Sequence, residues 1–266
     1  MQKPLGKIIS NSKGKETIVF NGLHLSEMII ESYLNDELIV IAIHGKQGYG
    51  KSTYASLVQA QVYGAINTIE SLSELPKSDP KYFKELKQKY NSKNTLNLNY
   101  TYDYNNCKEY LAFTPRQFLY KSRNNKYKSP SIIVDDAGLW LNSLDFNHPL
   151  VKAVGKFLEV GRTKWGAIIF TCSDLSQIFS KVRNMPHVYT VRINKHSSAN
   201  KNRRIASIHQ GWSSEDLKKS GKKKIAIDLY NAVMPDDFFT WYKPERDSLA
   251  HKGLNDIEEI LEKYKI

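Results

Sequence analysis

The chain has 266 residues, 41% hydrophobic and 25% charged, enough apolar content to bury an ordinary core and too much for a disordered chain. Its longest apolar run, Leu38 to Ile43, falls far short of the roughly 18 residues of a membrane helix, and two cysteines and seven histidines make no zinc pattern. A net charge of +12 points to a polyanionic partner, nucleic acid first, although lysine-rich composition also serves solubility. Met1 to Lys7 carries no apolar leader segment, so an intracellular setting is expected.

Residues 1–36 read as a preface. Thr17 to Phe20 predicts a strand ending at the Asn21-Gly22 turn, and Leu25, Met28, Ile29 and Tyr33 recur at helical spacing. Leu38 to Ile43 then predicts a strand buried on both faces. Gly45-Lys46-Gln47-Gly48-Tyr49-Gly50-Lys51-Ser52-Thr53 follows at once, and Ala55, Leu57, Val58 and Val62 predict a helix behind it. Strand, glycine loop and helix are the context in which the pattern G-x-x-x-x-G-K-S works as a phosphate cradle. Glycines let backbone N–H groups turn inward, and the helix N-terminus adds its dipole. In that reading Lys51 spans the β- and γ-phosphates and Ser52 holds Mg²⁺.

Residues 69–106 are rich in Lys, Asn and Tyr. Pro80 to Tyr90 predicts a basic helix, while the alternation of Tyr100, Tyr102 and Tyr104 fits a half-buried strand better than a single-strand stacking surface. Glu109 to Phe113 reads as a second core strand. Thr114-Pro115 opens a helix through Tyr120, with Thr114 as N-cap and proline at the first turn. Arg116, Lys121, Arg123, Lys126 and Lys128 read as a solvated basic face.

Ser131 to Val134 predicts a third core strand, ending in Asp135-Asp136, and Asp135 lies 84 positions beyond Lys51. This is a Walker B pattern. Asp135 would hold Mg²⁺ opposite Ser52, and Asp136 stands where a carboxylate polarises the attacking water. Leu150 to Val160 predicts a helix, and Gly161-Arg162-Thr163-Lys164-Trp165-Gly166 turns into a strand over Ala167 to Thr171. Thr171 and Ser173 then sit at the strand edge where ligands bind in a parallel sheet. Ile178 to Met185 predicts a short helix and Val188 to Ile193 a fifth strand. Arg204 to His209 and Lys224 to Leu229 fit antiparallel additions, joined by a basic turn over Lys218 to Lys224, with helices over Asp236 to Tyr242 and Leu249 to Tyr264.

Alternating strands and helices imply an α/β fold with a parallel core sheet, a core at 37–199 and a C-terminal extension at 200–266. The acid beside Asp135, with a polar residue closing the next strand, resembles the additional-strand, catalytic-acid division of P-loop ATPases, whose sheet runs 5-1-4-3-2. Within it, Ile133-Val134-Asp135-Asp136 and Thr171-Cys172-Ser173-Asp174 are similar to the DnaA-like branch of AAA+, with small ATPases of archaeal viruses and plasmids in view. That resemblance covers about residues 37–193 and implies MgATP hydrolysis, DNA as partner, a homo-oligomer, element-encoded protein partners, and a place in the host cytoplasm or a virion. Arg183, just before the fifth strand, then matches the place of an arginine finger; a surface ion pair is its other reading. A four-helix lid with a sensor 2 arginine is not visible.

Glu159 to Ile169 resembles the corresponding segment of FtsK/HerA-like packaging and translocation ATPases, although Cys172 replaces their usual glutamine; both resemblances imply that Arg162 or Arg183 reaches a neighbour's γ-phosphate, a surface ion pair being the other reading of each. Asn194-Lys195-His196-Ser197 lacks the Asp of a guanine site. Lys46 stands where the ParA/MinD group has its second lysine, but Gln47 and Asp135-Asp136 depart from that pattern. A small-molecule kinase and a non-hydrolysing assembly factor are the remaining classes.

Overall fold

A computed structural model describes residues 6–10, 16–19, 22–93, 102–139, 141, 149–178, 188–197, 200–213 and 220–248. Among them nine strands make one sheet. In chain order these are β1 (Gly6–Ser10), β2 (Glu16–Val19), β3 (Ile39–His44), β4 (Leu111–Ala112), β5 (Ser129–Val134), β6 (Trp165–Cys172), β7 (Val188–Lys195), β8 (Arg203–Ser213) and β9 (Ser220–Asn231). The spatial order is β2-β1-β9-β8-β7-β3-β6-β5-β4. Strands β7, β3, β6, β5 and β4 pair in parallel, and counted in chain order they read 5-1-4-3-2, the P-loop NTPase arrangement expected from the sequence. The other four strands continue the same sheet antiparallel from β7.

Before residue 234 the α-helices are α1 (His24–Leu34), α2 (Lys51–Glu70), α3 (Tyr82–Lys93), α4 (Tyr104–Glu109), α5 (Pro115–Asn124) and α6 (Pro149–Val160) among the described residues. One sheet face builds a core from Val40, Ala42, Ile132, Val134, Ile168 and Phe170 with Phe118 of α5 and Val154 and Leu158 of α6. On the other face lies α2, so enclosed that Gln59 and Gln61 are buried beside its apolar residues. Gln59 Nε2 donates to Tyr110 O and Ser131 O (both 3.2 Å), and Tyr63 Oη donates to Ser131 O (2.7 Å). Buried side-chain donors thereby hold backbone carbonyls at β5 and its neighbour, as burial of polar groups requires.

Several elements differ from the sequence reading. Tyr102 and Tyr104 do not lie on a strand: Asp103 accepts from Asn105 N and Asn106 N (both 3.0 Å) and caps α4, which begins at Tyr104. The local cap outweighs the alternation. The second core strand shrinks to Leu111–Ala112 because Glu109 ends α4 and Tyr110 closes it. Thr114 does cap α5, accepting from Gln117 N (3.2 Å).

Lys128 leaves the solvated basic face: it is buried, donating to Asp36 (2.9 Å) and Glu37 O (2.8 Å), and burial lowers its pKa. The basic turn also changes, since residues 220–224 already belong to β9 and pair with β8 as Lys223↔Gln210 and Lys224↔His209. Lys218 and Lys219 lie outside the described residues. So do Phe20, Asn21, Tyr100, most of the helix expected over Ile178 to Met185, and the whole of the one over Leu249 to Tyr264. Ile178 itself is extended.

A second compact unit begins at Met234. Its described part is a helix, 236–248, on which Phe238 meets Trp241 at 5.6 Å and stacks on Tyr242 at 6.1 Å. Among the described residues no helix is long and apolar enough to cross a membrane.

One buried carboxylate ties the antiparallel half to the helices. Asp228 of β9 accepts from His24 N (2.8 Å) and Leu25 N (3.2 Å) at the start of α1, and from Tyr54 Oη of α2 (2.6 Å). It takes the place of the cap that Leu23 cannot supply to α1. Asp228→Ala would strand three donors in the interior. It should lower stability by roughly 2–4 kcal/mol, read as a shift in the denaturant midpoint at unchanged m-value.

Candidate nucleotide site

The loop between β3 and α2 is shaped by three positive-φ glycines: Gly45 (153°), Gly48 (75°) and Gly50 (84°). At two of them space is also closed to a side chain. A Cβ on Gly45 would stand 2.8 Å from Ile193 O, and one on Gly50 would stand 2.7 Å from Ala232 Cβ. Gly50 is the N-cap of α2 and offers no side-chain acceptor, which leaves the first-turn N–H groups for an outside anion. Lys51, 7% exposed, donates to Gly45 O (3.0 Å) and Lys46 O (3.3 Å), closing the loop around its own ammonium group. Lys46, Gln47 and Gly48 form the exposed crown, and Thr53 is half-buried in the first turn.

The second half of the site comes from β5 and β6. Asp135 follows the end of β5 and is fully buried. Its Oδ1 accepts from Ser52 Oγ (2.8 Å) and Thr171 Oγ1 (2.6 Å). The same threonine hydroxyl oxygen accepts from Asp136 N (2.8 Å). Asp136 has φ 47°, a left-handed conformation that aspartate tolerates better than most residues. Ser52, Asp135, Asp136 and Thr171 are therefore one hydrogen-bonded chain across α2, β5 and β6. Hydroxyl and carboxylate oxygens beside a polyphosphate cradle are the donor set of Mg²⁺, which keeps much of its water and takes few protein ligands. The residues present fit a nucleotide polyphosphate with Mg²⁺.

The other residues singled out in the sequence are placed differently. Ser173 is exposed, and its N–H donates to Gln177 Oε1 (3.2 Å) within a turn capped by Asp174. Arg162 lies in the turn Gly161–Thr163 that precedes β6, at the opposite end of that strand from Thr171. Seven steps of β-strand separate Trp165 from Cys172, about 23 Å, so one chain does not bring Arg162 to Lys51. Arg183 lies outside the described residues.

The antiparallel strands add contacts that the motifs do not announce. Tyr230 Oη donates to Gly50 O (3.0 Å) and its ring packs on Tyr54 at 4.8 Å. Arg204, 8% exposed, donates from Nε to Tyr49 O (3.2 Å) and from Nη1 to Arg203 O (3.0 Å) and Lys201 O. Lys195 sits over the Tyr49 ring at 5.3 Å. The signal for these was strand parity: Arg204 shares the buried face of β8 with Ala206 and Ile208, and Tyr230 shares that of β9 with Asp228. A charge at an inward position needs partners, and here they are loop carbonyls.

No family model and no curated relative matches the chain. Among solved structures it is similar to the N-terminal domain of zonular occludens toxin from Neisseria meningitidis, at 12% identity and TM-score 0.39, over 76% of this chain and 97% of that one. It is also similar to a KaiC-like protein from Pyrococcus horikoshii OT3 (11% identity, TM-score 0.36, 72% and 89% covered). A third is the genome packaging NTPase of Sulfolobus turreted icosahedral virus 2, solved with ATP-gammaS (9% identity, TM-score 0.33, 70% and 98% covered).

His44, the last residue of β3, gives the loop a pH dependence. Burial first, then Lys222 and Arg192, and less so His209, push its imidazole down to about 4 against an opposing pull from Asp174. The unfolded chain protonates near the ordinary histidine value of about 6.5, so stability is full above that pH and falls as pH drops through this window. His44→Gln should lose less stability than the parent between about pH 6.5 and pH 4, measured by denaturant midpoints at each pH.

Proposed function

We propose that the chain is an ATPase that acts on DNA. The observation that carries the reading is the chain of hydrogen bonds from Ser52 through Asp135 and Thr171 to the Asp136 backbone. It links the phosphate loop to the acid that would position water, with a strand-end hydroxyl between them. In this reading the backbone of Gly45 to Gly50 and the Lys51 ammonium group bind the phosphates. Ser52 and Asp135 would hold Mg²⁺, which would supply charge neutralisation on the phosphates. Asp136 orients and accepts a proton from the attacking water, and Thr171, with Ser173 beyond it, registers the γ-phosphate. The left-handed backbone at Asp136 is a small local cost of the kind that collects at functional sites.

DNA enters through the net charge of +12 and through the two resemblances stated above. Asp135-Asp136 and Thr171 to Asp174 support a DnaA-like switch in replication or remodelling. The strands after β7 support the packaging or translocation reading, because β8 and β9 stand where an AAA+ chain would turn into its helical lid. Both require a homo-oligomer in which Arg162 or Arg183 reaches the γ-phosphate of a neighbour.

The test is ATP turnover of the parent and of Asp136→Asn, with and without single- and double-stranded DNA, across a salt series. DNA-stimulated turnover that weakens with salt, and a loss of about 10²-fold or more in the variant at retained ATP binding, is the expected result. Turnover indifferent to DNA, or appearing only with a small hydroxylated acceptor, would replace this reading with a kinase. Lys51→Ala should abolish ATP binding itself, measured by equilibrium titration of a fluorescent ATP analogue.

A further inference from the structure

At the sheet edge opposite the phosphate loop, α5 and the start of β5 border an open cleft of about 590 Å³. Its size is that of a small-ligand site, and its lining combines exposed aromatic rings with lysines. Tyr120 and Tyr127 stand in it 69% and 39% exposed. Four lysines border it: Lys77, paired with Glu70 (2.8 Å), Lys121, which donates to Glu109 O, the buried Lys128, and Lys126; Glu109 is the one carboxylate of the lining. Lys126 already lies 5.1 Å from the centroid of the Tyr127 ring, the geometry of a cation held above a π-face.

We propose that this cleft binds single-stranded nucleic acid, with bases stacking on Tyr120 and Tyr127 and phosphates meeting Lys126. Solvent-exposed aromatic rings gain little by standing in water, but an unstacked base gives each ring a partner of its own shape, and an adjacent ammonium group takes the backbone charge. A duplex keeps its bases paired and cannot offer them to the rings. The anion binds on the far side of the sheet edge from Lys51. Ser129 opens β5 within the cleft and Asp135 follows its other end, about 20 Å along the strand. The cleft is thus separate from the nucleotide site, yet it rests on the strand that carries the Walker B acids.

The inference deepens the DNA-acting reading, and its oligonucleotide-binding assay contains no ATP, so that the two fail separately. Fluorescence anisotropy of a labelled oligo-dT of about 12 nucleotides, within the usual single-strand site size, is measured for the full chain in a salt series. Competitors are the matching duplex and the mononucleotide dTMP. Expected are tight, salt-weakened binding of the oligonucleotide and poor competition by both. A loss of about tenfold or more is expected in the double variant Tyr120→Ala, Tyr127→Ala. Tyr120→Phe with Tyr127→Phe should restore binding, because it keeps the rings. Unfolding midpoints and ATP-analogue binding of each variant should match the parent. Parent-like affinity in the alanine variant, or equal affinity for duplex or dTMP, would overturn the cleft. If DNA stimulates turnover while the alanine variant binds normally, the cleft fails and the ATPase reading stands; if the oligonucleotide binds as expected but turnover ignores DNA, the reverse holds.

Discussion

A fully buried carboxylate sets the terms for the centre of this molecule. Asp135 cannot be left in a low-dielectric interior without donors, and its Oδ1 receives two hydroxyl groups from different elements. Those donors meet only if β6 lies between β3 and β5, because Ser52 begins the helix after β3 and Thr171 belongs to β6. The central 1-4-3 part of the strand order is therefore a requirement of the site as much as of the core. Thr171 also accepts from Asp136 N, so one hydroxyl fixes the backbone of the second acid while bonding the first. Replacing it with an isosteric valine would break both links at once, which a purely structural threonine on a buried strand would not imply.

The antiparallel half of the sheet is the support of the phosphate loop rather than an appendage. Three contacts converge on the backbone between Gly45 and Gly50: Ile193 O against Gly45, Tyr230 Oη on Gly50 O, and Arg204 Nε on Tyr49 O. Each comes from β7, β8 or β9. Ala232, immediately beyond β9, closes the space beside Gly50. Asp228 carries the same coupling to α1 and α2. A preorganised loop loses less on binding an anion than a floppy one, and here the supporting contacts come from residues some 150 to 180 positions downstream.

Local requirements were legible in the sequence and non-local ones were not. The phosphate loop, the Thr114-Pro115 helix start and the buried strands at Ile39 and Ile132 depend on short patterns of glycine, cap and apolar residues, and their positions follow from those patterns. Lys128 looks like one more member of a basic run, and only the fold brings Asp36 to it across 92 positions. The Tyr102 and Tyr104 alternation misleads for the opposite reason. Asp103 satisfies two backbone N–H groups locally, and its own N–H reaches Ala60 O (2.9 Å) on α2, so a short capped helix wins over a strand. Arg204 and Tyr230 were readable only as inward-facing residues whose partners had no address in the sequence.

The position of Arg162 bears on assembly. Within one chain it stands at the wrong end of β6 to meet a phosphate on Lys51. If it acts in catalysis, a neighbour must present its turn from the side of the sheet where β5 and β6 begin, stacking that edge of one subunit over the phosphate-loop edge of the next. Such head-to-tail contacts are heterologous, and they close only as rings or continue as filaments. The same edge carries the Tyr120 and Tyr127 cleft. In a ring built this way, a strand held in one subunit's cleft would lie close to the joint at which the next subunit's nucleotide is hydrolysed. Hydrolysis would then be felt at the strand through a short contact between subunits, with no need for a path through the whole sheet.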